Sequence, residues 1–176
     1  MTLDGVIDVG EWYVADGEHD RAGKDQLAQA SAVLLGRKTY EGLAAYWSPL
    51  KDDWANLINP VPKYVASRTL HGPLDWNSML LEGDAARAVS RLKTDLPSDL
   101  LVYGCGELAR SLLATALVDE LRFWVHPAGW GSGQRPFQGE AQNRMRLLGS
   151  EAFDSGVTLL RYAPSYTTED DPVRQT

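Results

Sequence analysis

The chain has 176 residues, 44% apolar and 23% charged, with a net charge of -7 and a pI near 4.9. Those values fit one globular domain and exclude a basic nucleic-acid binder, a disordered polar chain and a fibrous repeat. The lone cysteine, Cys105, cannot form an internal disulfide, no apolar run nears the ~20 residues that span a bilayer, and the first residues carry no secretory signal, so a cytoplasmic setting is expected.

Asp4-Gly5 is a turn signal followed by the small apolar pair Val6-Ile7. Glu11 to Gly23 is polar, glycine-bearing and aromatic at Trp12 and Tyr13; it reads as a long flexible loop, either an active-site cover or an ordinary surface connection. Lys24 to Ser31 can form a short helix, and Ala32 to Leu35 is an apolar run of buried-strand length. Gly36-Arg37-Lys38-Thr39 follows at once. Thr39 is placed to cap a helix carrying Tyr40, Glu41, Leu43 and Ala44, with Arg37 and Lys38 beside its first amides. Trp47 to Pro62 is irregular around a weak helical piece at Asp52 to Leu57, and Lys63 to Ala66 then reads as a strand ending in Ser67-Arg68. Met79 to Leu81 is another short strand, and Gly83-Asp84 opens a helix over Ala85 to Asp95 that Pro97 closes.

Leu100 to Tyr103 is an apolar run that stops at Gly104-Cys105-Gly106, after which Leu108, Leu112, Leu113 and Ala116 recur at helical spacing. Leu121 to Val125 is a strongly apolar strand. The alternation of strands and helices predicts a largely parallel sheet covered on both faces. After His126-Pro127 a glycine loop leads to strands at Met145 to Leu148 and Val157 to Tyr162, joined through Gly149 to Gly156 as an antiparallel hairpin at the sheet edge. The expected organisation is a single domain over residues 1–163 and a flexible acidic tail over 164–176.

The junction at residues 104–108 has the chemistry of an anion site. Gly104 and Gly106 remove the Cβ atoms that would keep a ligand off the backbone, and the amides of a helix start carry the positive end of its dipole. Gly104, Gly106 and Ala109 also satisfy G-x-G-x-x-G/A, a pattern that recurs by chance in ligand-free turns. The Gly36-to-Thr39 and Ser67-Arg68 junctions place further cations at strand ends, with solvated surface residues as the alternative. His19, His71 and His126 are widely separated in sequence and lack metal-ligand spacing, so no metal site is expected. Cys105 has no base near it in sequence and reads as a small spacer, not a nucleophile.

LDGVI at 3–7, LLGRKTYEGLAAYW at 34–47, KYVASRTL at 63–70, LLVYGCGELARSLL at 100–113, and LVDELRFWVHP with GSGQRPF within 117–137 carry a resemblance through their order and spacing. Together they resemble the dihydrofolate reductase-like superfamily. The similarity is strongest to the C-terminal reductase domain of the bacterial riboflavin-biosynthesis bifunctional deaminase-reductase and its stand-alone relatives, and it covers roughly Leu3 to Tyr162.

The resemblance implies an α/β, three-layer fold with a mostly parallel mixed sheet, helices on both faces and an antiparallel C-terminal hairpin. It implies NADPH as cofactor, with NADH possible, bound at the C-terminal strand edges. Gly36, Arg37, Lys38 and Thr39 would meet its phosphates, Ser67 and Arg68 the adenosine side and the 2'-phosphate, and Gly104, Cys105, Gly106, Glu107 and Leu108 the diphosphate. Val6 and Ile7 would approach the nicotinamide. Family members begin with an apolar strand before L-D-G, whereas Met1 stands two residues before Leu3; the resemblance therefore implies either a start truncated after the first central strand, the expected case, or a sheet built without that middle member, and a chain that includes the strand is expected to be more stable.

The expected function is a reductase moving a hydride to a small heterocyclic, pterin-like or ribosylaminopyrimidine-type acceptor, with Asp4, Asp20 and Tyr103 as candidate proton donors beside Asp8 and water. The alternative is a non-catalytic nucleotide-binding or sensor protein that keeps the cofactor cleft. A Rossmann dehydrogenase fits worse, because the acidic residue expected about 20 positions beyond the glycines is not clearly present. No nucleic acid or membrane partner is expected, and a homodimer through Leu121 to Val125 is the one macromolecular association considered.

Overall fold

A computed structural model describes residues 1–15, 17–137 and 144–166. From residue 167 onward the expected acidic tail lies outside the described residues. The chain divides into two compact units, Asp20–Leu117 and Met1–His19 with the chain from Val118 onward.

The first unit holds a wholly parallel sheet in the order β3-β2-β1-β4, formed by β1 (Ala32–Gly36), β2 (Lys63–Ala66), β3 (Ser78–Leu80) and β4 (Leu100–Val102). β1 is central because four successive residues, Ala32 to Leu35, are fully buried, which is the pattern of a strand covered on both faces. Its helices are α1 (Glu18–Ala28), α2 (Arg37–Trp47), α3 (Asp53–Ile58), α4 (Ala85–Asp95) and α5 (Glu107–Ala114). Asp52 and Asp84 cap α3 and α4 by accepting the amides of Ala55 and Arg87. Leu27, Val33, Leu35, Tyr40, Ile58, Val65, Trp76 and Leu101 form one core cluster.

Two local readings change. α1 starts at Glu18, inside the stretch read as loop and before the helix expected from Lys24. Its early turns are tied down: the Asp20 carboxylate accepts from the Trp54 indole and pairs with Lys24 at 3.0 Å, and the absence of a Cβ on Gly23 lets the Trp54 ring lie close. α2 starts at Arg37, so Gly36 is its N-cap and Thr39 sits in the first turn and does not cap. The strand runs into the helix without a loop, which leaves no room for a later cap.

Lys63 is the least expected core residue. Its side chain has no exposed surface, and its ammonium donates to the carbonyls of Ile58 (2.5 Å), Asn59 (2.9 Å) and Val61 (2.8 Å) while lying 4.1 Å from the centre of the Trp76 ring. Those carbonyls include the last turn of α3, whose acceptors have no partner within the helix.

The second unit is an antiparallel sheet in the order β5-β7-β6, from β5 (Leu121–Val125), β6 (Arg144–Ala152) and β7 (Thr158–Ser165). β5 thus pairs with β7 and does not continue the parallel alternation. β6 and β7 run further than their apolar cores indicate, because ladder bonding carries polar Ser150, Glu151 and Ser165 as readily as leucine; the connection shrinks to a tight turn with Gly156 N–H donating to Phe153 C=O. At the start of the chain the Met1 ammonium donates to Trp124 C=O (2.6 Å) and Met1 C=O accepts from His126 N–H (2.8 Å), so the first residue lies along the end of β5. No helix among the described residues is long and apolar enough to cross a membrane.

Candidate functional site

Parallel pairing sends the C-terminal ends of β2, β1 and β4 to one edge of their sheet. The chain leaves β1 towards β2 on one side, and β4 is added on the other, so the order reverses between β1 and β4. Such a reversal splays the two outgoing connections and opens a crevice at the strand ends, where open α/β sheets bind ligands.

The residues at that reversal are the glycine junctions. Gly36 caps α2, and a Cβ on it would touch Leu108 of α5 at 3.8 Å. Gly104 has φ +89°, a conformation that a glycine adopts without strain, and a Cβ there would lie 3.5 Å from Thr39 Oγ1. Gly106 caps α5 with nothing within 4 Å of its missing Cβ, leaving open backbone ahead of the Glu107 and Leu108 amides. The sequence elements 36–39 and 104–108, far apart in the chain, therefore face each other across two neighbouring strand ends. Burial pushes the Cys105 thiol up from its ordinary value, which suits a spacer and not a nucleophile.

The cations are present but occupied by weak partners. Arg37 pairs with Glu41 one turn on at 3.2 Å, and Arg68, beyond the end of β2, reaches Glu107 at 3.3 Å with both side chains almost fully exposed. Exposed pairs of this kind contribute little and exchange readily for a more highly charged anion. Ser67 is used locally, its Oγ accepting from the amides of Thr69 (3.1 Å) and Leu70 (3.0 Å) to hold the turn that presents Arg68. Tyr103 leaves β4 half-buried against the core cluster.

Asp4, Val6 and Ile7 belong to the other unit. The Asp4 carboxylate accepts from Thr2 Oγ1 (2.6 Å), Trp130 N–H (3.0 Å) and Gly131 N–H (2.7 Å); these donors, the Thr2 hydroxyl first, hold its pKa well below the usual carboxylate range. It is an ionised anchor of the glycine loop at any working pH. Asp20 likewise accepts from Trp54 and Lys24. Val6 is fully buried, and Ile7 N–H donates to Gln134 C=O at 2.9 Å.

Widely spaced in sequence, His19 and His126 are brought together, their rings 5.9 Å apart. Both hold the backbone of one residue: Val14 N–H donates to His126 Nδ1 at 3.1 Å, and Val14 C=O lies 2.9 Å from His19 Nε2. Ser155 Oγ is 2.9 Å from His19 Nδ1, and Trp12 and Tyr13 pack on His126. The segment read as a flexible loop is therefore pinned through Val14, by a contact between residues more than a hundred positions apart that no local pattern announces. Among the described residues no cluster of metal-ligating side chains occurs.

A neutral His126 accepts at Nδ1, and protonation would set a donor against the Val14 donor. Burial, the N-terminal ammonium and His19 together push its pKa down to about 4 from 6.5. The unfolded chain then binds more protons between those values, so stability is full above about 6.5 and falls as pH drops towards 4, by up to about 3 kcal/mol. Urea unfolding across pH 4 to 7 should show that slope, and His126→Gln should flatten it; an unchanged slope in the variant would assign the effect elsewhere.

The sequence matches the family model described as the RibD C-terminal domain over residues 1–159. The YyaP protein of Bacillus subtilis is 30% identical over 174 residues, covering 92% of this chain and 90% of YyaP. Among solved structures, a putative riboflavin biosynthesis protein from Shewanella sp. PV-4 aligns with a TM-score of 0.75 at 20% identity, covering 93% of this chain and 94% of that one. RibD of Acinetobacter baumannii aligns with a TM-score of 0.65 at 19% identity, covering 93% of this chain and 55% of that one. These likenesses establish the fold as the dihydrofolate reductase-like α/β type.

Proposed function

The chain belongs to the RibD C-terminal domain family, and from that premise we propose that it is a reductase using a reduced nicotinamide dinucleotide, NADPH in preference to NADH. The observation that carries the reading is the meeting of Gly36, Thr39, Gly104 and Gly106 at the order reversal between β1 and β4. The residues fit the group: open backbone at Gly106, two helix starts, and Arg37, Lys38 and Arg68 around them suit a diphosphate and a further phosphate. Bound there, the cofactor would supply a hydride from its nicotinamide. The chain's own part is to hold phosphates with the amides of Glu107 and Leu108 and the Thr39 hydroxyl, and to orient the adenosine end with Arg68. The acceptor is a small pterin-like or ribosylaminopyrimidine-type heterocycle, and the proton it needs comes from water or the Tyr103 hydroxyl, since Asp4 and Asp20 are held as acceptors.

The test is titration with NADPH and NADH, followed by loss of reduced-cofactor absorbance with a panel of pterins, ribosylaminopyrimidines and simple carbonyls. Oxidation with one class identifies the acceptor. Binding without oxidation across the panel would favour a nucleotide-binding protein without turnover, a reading to which the engagement of both candidate carboxylates lends weight. No binding of either dinucleotide would overturn both. Arg68→Ala should weaken NADPH about 10-fold or more and NADH much less, as expected for one charge-assisted phosphate contact; equal losses would remove Arg68 from the 2'-phosphate.

A further inference from the structure

Glu107 puts a carboxylate where the cleft needs phosphates. It follows the α5 cap Gly106 directly, so its own amide is one of the two assigned to the diphosphate. Its side chain is 82% exposed and meets Arg68, itself 89% exposed, through one guanidinium nitrogen at 3.3 Å. We infer, on the basis of the cofactor reading above, that Glu107 is a specificity-determining residue: it competes with the 2'-phosphate of NADPH for Arg68 and so narrows the preference for NADPH over NADH.

The pair ties together two junctions that the sheet keeps apart. Arg68 lies just beyond the end of β2 and Glu107 opens α5 after β4, with β1 between those strands. Two strand spacings amount to about 10 Å, a span that both long side chains must extend to bridge. They meet beyond the end of β1, the strand that delivers Gly36 and Thr39. A phosphate that takes Arg68 at this edge therefore displaces the Glu107 carboxylate.

On a guanidinium a carboxylate is a partial substitute for a phosphate. It offers the same paired oxygens but a single charge, against nearly two on a phosphate monoester at pH 7. Arg68 accordingly changes partner when the 2'-phosphate arrives. The released carboxylate stays tethered to residue 107, beside the phosphates, and its charge opposes them. NADH lacks the 2'-phosphate, leaves the ion pair closed and escapes the larger part of this cost. An acidic residue in the first turn of α5 also favours the helix through its dipole. That role alone is indifferent to how many phosphates a ligand carries, which separates the two in a measurement.

The test is calorimetric titration of the full chain and of Glu107→Gln with NADPH, NADH, adenosine 2',5'-bisphosphate and 5'-AMP. Glutamine keeps the size of the side chain at an exposed position. NADPH and the bisphosphate should bind the variant about 3- to 10-fold more tightly, and NADH and AMP less than about 2-fold more tightly, as expected for one surface charge. With Arg68→Ala in both backgrounds most of that gain should vanish, because no cation is left to contest. Unchanged or weaker NADPH binding by Glu107→Gln, equal gains for all four ligands, or a gain that survives in full without Arg68 would overturn the inference and leave the cofactor reading intact. Failure of the wild type and the variant to bind any of the four would overturn that reading, and this inference with it.

Discussion

Replacing Lys63 with methionine should lower the melting temperature by about 6–12 °C, corresponding to about 3 kcal/mol or more in a chain of this length. Methionine keeps an apolar stem of similar length but removes three donors at once, stranding the carbonyls of Ile58, Asn59 and Val61 in a site closed to solvent and ending the contact with the Trp76 face. Burial pushes the ammonium down to about 8, so it remains protonated at pH 7, where an amine with a lone pair would serve only two of those carbonyls. Arginine should not rescue it, since a planar fork cannot converge on three acceptors around one nitrogen position. Scanning calorimetry of the two variants decides the matter. A methionine variant melting within about 2 °C of the wild type would show that the ammonium is not what holds the end of α3 to β2.

Gly133→Ala should be comparably severe, destabilising the chain by about 3–4 kcal/mol, because steric and backbone costs coincide. Gly133 has φ +139°, and a Cβ on it would lie 2.5 Å from Val6 Cγ1 and 3.0 Å from Asp8 Oδ2. Neither neighbour can retreat easily. Val6 is fully buried, and the Asp8 carboxylate accepts from Gln134 N–H at 2.8 Å. A double-mutant cycle with Val6→Ala separates the causes: if the clash with Cγ1 dominates, the pair should cost at least about 1 kcal/mol less than the sum of the single changes. Additive costs would place the effect in the backbone angle and the Asp8 contact.

Both predictions concern residues whose importance is invisible locally. Lys63 opens the strand KYVA and reads as a solvated cation at a strand start; its burial follows from the way α3 ends beside β2, which no spacing within residues 63–66 encodes. Gly133 sits in a glycine-rich loop of ordinary appearance, and only the closeness of Val6, 127 positions earlier, makes the absent Cβ a requirement. The histidine pair on Val14 belongs to the same class. By contrast, the glycine junctions after β1 and β4 were legible, since an apolar run that ends in glycine and passes into helical periodicity is a local pattern with a local cause.

The sequence by itself determined the alternation of strands and helices from Ala32 to Val118, the helix start at Asp84, the late antiparallel hairpin and the three strand ends that carry glycine, hydroxyl and cationic side chains. These follow from periodicity and capping, which act within a few residues. Only the tertiary structure decided that strands of order β3-β2-β1-β4 bring residues 36–39 beside 104–108, that β5 pairs with β7, that Thr39 lies inside α2 and does not cap it, and that Asp4 and Asp20 spend their carboxylates on anchoring. Strand order and the occupancy of a polar group depend on which distant segments arrive as neighbours. That is settled by the burial of whole faces and the pairing of every backbone group at once, not by any one stretch of residues.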